Sequence, residues 1–139
     1  MDVDSSIGYA LKRTATALRT AMEASLRSLG LSVPQYSCLE ILSARPEISN
    51  ADLARGVFVT RQAMHQLLGG LQEAGLVSAV GSGRVQRYSL TPEGQRVIVA
   101  ASAAVVAVEE RMLSGLGAAE RRRLHDDLER CTAALGERA

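Results

Sequence analysis

The sequence predicts a mainly α fold with one small β-hairpin, and three observations carry that prediction. Apolar residues recur at helical spacing along most of the chain. Between Leu76 and Leu90 the period changes to two, around a Gly81-Ser82-Gly83 tip. Ser32, Ser49, Thr60 and Thr91 each stand where an interior helix would begin. At 139 residues the chain fits one domain, 1–139, because domains most often run to ~100–150 residues. A hydrophobic content of 47% against 22% charged residues can supply a core. With only Tyr9, Tyr36, Phe58 and Tyr88 as aromatics, that core is made mostly of Leu, Val, Ile, Met and Ala.

The first helix runs from Ile7 to Leu29 and ends at Gly30, with Leu11, Leu18, Met22, Leu26 and Leu29 on one face. Ser32-Val33-Pro34-Gln35 supplies an N-cap, an early-turn proline and a capping-box glutamine for the second helix, which carries Tyr36, Leu39 and Leu42 as far as Arg45-Pro46. Ser49-Asn50-Ala51-Asp52 opens a short third helix around Leu53 and Ala54. Thr60 caps a fourth, with Met64, Leu67, Leu68 and Leu71 facing inward and Gly75 closing it. Leu76–Val80 and Val85–Leu90 form the hairpin, whose tip glycines permit a positive φ. Thr91-Pro92-Glu93 starts a long helix that runs to about Leu113. After Gly115 and Gly117 a last helix carries Leu124, Leu128, Cys131 and Leu135.

Composition and spacing exclude several classes of function. Cys38 and Cys131 lie far apart, outside any CxxC or Cys/His cluster, so neither a disulfide scaffold nor a zinc site is expected; both thiols read as buried small hydrophobes. No Ser/His/Asp or Cys/His arrangement and no phosphate-cradling glycine motif is present, so the chain is not expected to be an enzyme, and no cofactor or metal is implied. His125, with Arg121-Arg122-Arg123 before it and Asp126-Asp127 after it, reads as a solvated, salt-bridged face. The start carries Asp2 and Asp4 without an apolar run, and the apolar stretch Val97–Val108 is too short to span a bilayer; a cytoplasmic protein without membrane contact is expected. Fifteen arginines against the single Lys12 suggest a GC-rich genome.

The order short helix, turn, helix, glycine-tipped hairpin is the layout of a winged helix-turn-helix, with residues 31–94 as the lobe. Residues 1–30 and 95–139 supply long N- and C-terminal dimerisation helices. Recognition helix 60–74 leaves Arg61, Gln62, His65 and Gln66 outward near its N-terminal end, with no acid between Thr60 and Gln72. Arg and Gln can make paired hydrogen bonds to guanine and adenine edges in the major groove of double-stranded DNA. From Arg55 to Thr91 four arginines oppose one acid, Glu73, giving +3 in a chain whose formal charge is +1. Arg84 at the tip of the wing (77–91) suits the minor groove, and Thr60, Arg55 and Arg87 are candidates for backbone phosphates. Scarce aromatics argue against stacking on single strands. Gly69-Gly70 inside the recognition helix is an oddity that points either to close packing or to an adjustable helix end.

Leu31-Ser32-Val33-Pro34-Gln35-Tyr36, Leu53-Ala54, Leu71-Gln72-Glu73-Ala74-Gly75-Leu76-Val77 and the run Arg84 to Leu90-Thr91-Pro92-Glu93-Gly94 follow one another as in the MarR family of bacterial transcriptional regulators. The chain resembles that family over nearly its whole length. The resemblance implies a homodimer interlocked through its first, fifth and sixth helices over a pseudo-palindromic operator, and a small, often aromatic, effector. This chain departs from the pattern at Ser82, where the family usually has an aspartate that orients the wing arginine, and its wing is about two residues short.

Dimerisation is also expected from the terminal helices alone. Leu11, Leu18, Met22, Leu124, Leu128 and Leu135 offer more apolar surface than one small lobe would cover, and such a patch favours association. The function expected is a ligand-responsive repressor. Its alternatives are a winged-helix protein-protein interaction module, or a ligand-binding dimer with weak or no DNA binding. Tyr9, Tyr36 and Phe58 read as core residues, too few to define an effector pocket.

Overall fold

Every interior helix of the N-terminal unit starts at a side chain that caps it. In the computed structural model, which describes residues 2–81 and 87–136, Ser6 precedes α1 (Ile7–Arg27) and its hydroxyl accepts from the Tyr9 N–H. Ser32 opens α2 (Val33–Ala44) with a reciprocal capping box: its hydroxyl accepts from Gln35 N–H at 3.2 Å and the Gln35 amide oxygen accepts from Ser32 N–H at 2.9 Å. Ser49 caps α3 (Asn50–Val57) through the Asp52 N–H, and Thr60 caps α4 (Arg61–Glu73) through the Ala63 N–H. Each cap satisfies an amide that the first turn of a helix leaves without a partner.

After Gly75, in the left-handed region at φ +76°, β1 (Val77–Val80) pairs antiparallel with β2 (Arg87–Leu90), in the register Val77 to Leu90 and Val80 to Arg87. A lone bridge joins Arg87 to Ser49. The expected strands thus hold where they are described; Val85 and Gln86, like Ser82 and the wing-tip candidate Arg84, lie outside the described residues. The element α5 (Pro92–Met112) follows, then α6 (Ala118–Ala134).

The chain divides into two units, Met1–Val108 and Glu109–Ala139. In the first, Leu26, Cys38, Leu39, Leu42, Leu53, Met64, Leu68 and Leu71 are fully buried, joined by Tyr36, Tyr88, Ile98 and Ala101. Burying each such side chain contributes ~1.5–3 kcal/mol. The start of α5 is locked to the corner between α4 and β1. Thr91 N–H donates to the Leu76 carbonyl at 3.1 Å, and a Cβ at Gly94 would lie 2.1 Å from that same oxygen. Only glycine fits there.

In the second unit, the Glu120 carboxylate accepts from Gly117 N–H at 2.9 Å at the start of α6. The guanidinium of Arg121 spends its nitrogens on the Leu116 and Leu113 carbonyls, both at 3.0 Å, and on Glu110 at 2.9 and 3.1 Å. Arg121 is therefore a turn staple and not part of a solvated basic face. His125 does meet the acidic neighbours expected of it, Asp126 and Glu129.

Four expectations need correction. Met22, expected in the surplus apolar patch, packs on the core of its own chain, and Leu26, one turn further along the same face of α1, is fully buried. Phe58 and Tyr9 are not core residues: both are exposed, Phe58 in the turn that ends α3 and Tyr9 near the start of α1, where Arg13 lies over its ring at 5.9 Å. Cys131 is exposed in this chain. Leu135 lies past the end of α6, next to Gly136 at φ +83°. Among the described residues no helix is long and apolar enough to cross a membrane.

Candidate nucleic-acid interface

The helix α4 buries Met64, Leu68 and Leu71 and half-buries Leu67. This i, i+4, i+7 stripe fixes the rotation of the helix and leaves Arg61, Gln62, His65 and Gln66 all exposed on the other side. The four candidates thus share one helical face at the N-terminal end, next to the capping Thr60. Gly69 and Gly70 lie further along the same helix with nothing within 4 Å of where a Cβ would stand. Close packing among the described residues is therefore not what these glycines serve.

The turn ahead of α4 is built on Phe58, which caps α3 at φ +63°, ψ +43°, with its N–H bonded to the Ala54 and Arg55 carbonyls. Val59 N–H also donates to the Ala54 carbonyl, at 3.0 Å. Ala54 and Val57 are buried and Val59 is half-buried, as expected of the residues that seat the turn. The side chain of Phe58, by contrast, is 91% exposed.

Two of the phosphate candidates have partners that the sequence reading did not assign. Arg55 is exposed but pairs with Asp52 one turn earlier on α3. The Ser49 hydroxyl, and then the Arg55 guanidinium, hold the Asp52 carboxyl below the usual carboxylate range. The i, i+3 spacing of Asp52 and Arg55 on a helix is the signal for this pair, with Asp52 lying just outside the basic stretch Arg55–Thr91. Arg87 donates from Nη1 to the Glu47 carbonyl at 2.5 Å, a contact 40 residues apart in sequence that no local pattern announces.

An open groove of about 550 Å³ runs along the C-terminal half of α1 and the start of α2, lined among others by Arg19, Arg27, Leu31, Val33 and Pro34. Among the described residues no group of His, Cys, Asp and Glu is placed to hold a metal ion.

A short helix, a left-handed turn, a capped helix whose outer face carries no acid before Glu73 and an antiparallel hairpin together define a winged helix-turn-helix protein. A MarR family model matches residues 29–87, which span α2 to the start of β2. The HTH-type transcriptional repressor Rv2887 of Mycobacterium tuberculosis is 39% identical over 130 residues, covering 91% of this chain and 94% of the relative. Crystal structures of that mycobacterial protein superpose with a TM-score of 0.78 in complex with DNA (37% identity, 91% and 98% coverage). The complex with salicylic acid gives 0.76 (38% identity, 91% and 96% coverage). The chain belongs to the MarR family.

Proposed function

We propose that the chain is a homodimeric, sequence-specific DNA-binding repressor, cytoplasmic and without catalytic activity, that leaves its operator when a small aromatic acid binds. The observation that carries this reading is the exposed face of α4, where Arg61, Gln62, His65 and Gln66 stand together with no acid before Glu73. In this reading they meet base edges in the major groove. Thr60, Arg55 and Arg87 serve phosphates, and Arg84 serves the wing. The repressor name and the DNA complex of the mycobacterial relative support the same assignment.

Dimerisation is supported by Ile7, Leu11, Leu124 and Leu128, which are exposed in the single chain; Leu18 and Met22 are half-buried beside them on α1, and Leu135 follows α6. A twofold dimer would set two recognition helices about one DNA turn apart, ~34–36 Å, or a multiple of it. The salicylic acid complex of the relative supports an aromatic carboxylate effector; in the groove beside α1, Arg19 is already paired with Glu23, which leaves Arg27 and the apolar floor to receive one.

The test is selection of genomic fragments by the purified protein at two salt concentrations, followed by titration of the selected duplex with and without salicylate. Specific, salt-dependent binding weakened by salicylate is expected. Replacing a phosphate-contacting arginine lowers the slope of log K against log[salt] by ~0.9 per contact, whereas Gln62→Ala changes base preference. Unchanged affinity and sequence preference in both Arg61→Ala and Gln62→Ala would refute the recognition face.

A further inference from the structure

We infer that Phe58 is a specificity residue of the DNA-binding surface, making an apolar contact with a thymine methyl group beside the bases read by α4. This rests on the DNA-binding reading above. Phe58 carries two costs. Its backbone lies in the left-handed region at φ +63°, which glycine occupies without penalty and which is a genuine outlier for a bulky side chain. The residue is 91% exposed, more than any other large hydrophobic residue among those described. A turn that needed only its geometry would be better served by glycine. A backbone outlier of this kind points from strain to function.

The position says what covers the ring. Phe58 lies two residues before the capping Thr60 and three before Arg61, so this exposed residue stands in the turn that leads directly into the exposed polar face at the N-terminal end of α4. In this turn it is the one exposed apolar residue: Val57 is buried and Val59 is half-buried. In the major groove the thymine C5-methyl is the apolar mark that distinguishes A·T from the other pairs, and Phe is among the side chains that contact it. Operator DNA is therefore the occupant that fits, through hydrophobic contact and not through charge.

The experiment compares the full-length protein with Phe58→Gly and Phe58→Leu on the selected operator, and on operators in which single thymines are replaced by uracil, which lacks only the methyl group. Phe58→Gly is expected to melt no lower than the parent, since it relieves the backbone, yet to bind about tenfold more weakly. At one thymine per half-site the parent loses about fourfold on removal of the methyl, the factor for one buried carbon, and Phe58→Gly loses nothing there. Phe58→Leu keeps part of the sensitivity.

Equal loss at every thymine for parent and Phe58→Gly overturns the inference while leaving the recognition helix intact. A parent that binds no duplex overturns the DNA reading and this inference together. If Phe58→Gly instead turns a dimer into a monomer in sedimentation, the ring belongs to a contact between copies and the inference is wrong.

Discussion

Thr91 Oγ1 donates to the Gly75 carbonyl at 2.6 Å while accepting from the Gly94 N–H at 3.0 Å, so one hydroxyl ties the end of the recognition helix to the start of α5. Thr91→Val keeps the shape but removes both bonds, leaving an uncapped helix and a carbonyl without this partner. A loss of about 1–2 kcal/mol in urea unfolding is expected, with Thr91→Ser retaining most of the stability. A Thr91→Val protein as stable as the parent would show that the hydroxyl is dispensable.

The backbone contact at Gly94 is stricter. A methyl group there would stand 2.1 Å from the Leu76 carbonyl oxygen, and that oxygen is backbone, already accepting from Thr91 N–H. Gly94→Ala forces α5 away from the start of β1 and should cost roughly 3 kcal/mol, the upper part of the overpacking range. Thermal unfolding checks this; a melting temperature within a degree of the parent would contradict the geometry.

Gly69 and Gly70 predict the opposite sign. Both are in the helical interior of α4, exposed, with open space around the missing Cβ and no positive φ. Alanine at either position should raise stability by about 1 kcal/mol through helix propensity, and the two gains should be nearly additive. Urea midpoints that fall in either variant would mean that the glycines meet something outside the single chain.

The two thiols should part company in reactivity. Burial pushes the Cys38 thiol up from its ordinary 9.0 to about 12, so in a Cys131→Ser variant Cys38 should stay silent to Ellman's reagent at pH 8 until guanidinium unfolds the chain. Because the folded value is raised, the stability from the protonated buried thiol is fully present below about 9. It is lost progressively as pH rises towards 12, with a slope of up to ~1.4 kcal/mol per pH unit. The parent should therefore lose stability faster than Cys38→Ala across that window. Parallel pH curves would remove the assignment.

Features set by chemistry three residues apart were readable from the sequence alone. Ser32 and Gln35 announce their capping box, Ser49 and Thr60 their caps, and Met64, Leu68 and Leu71 fix which face of α4 is turned outward, because these effects depend on helical geometry and nothing else. What was hidden depends on long-range approach or on backbone angle. The clearance between Gly94 and Leu76 exists only once α5 returns to β1, and the bond from Arg87 to the Glu47 carbonyl crosses from the wing to the loop after α2. Phe58 was misread because an aromatic is normally placed inward, and a sequence does not display φ. Cys131 lies on an apolar stripe, but a stripe alone does not say whether its cover comes from the same chain.

The arginine richness of the chain looks like a drift of genome composition. Arg121 is different, since its planar fork reaches Glu110, Leu113 and Leu116 in separate directions, and a single ammonium on a flexible stem cannot satisfy that geometry. The mildest charge-conserving replacement is therefore closed at this site. Among descendants of this sequence in genomes of any base composition, position 121 should be the arginine that lysine fails to displace.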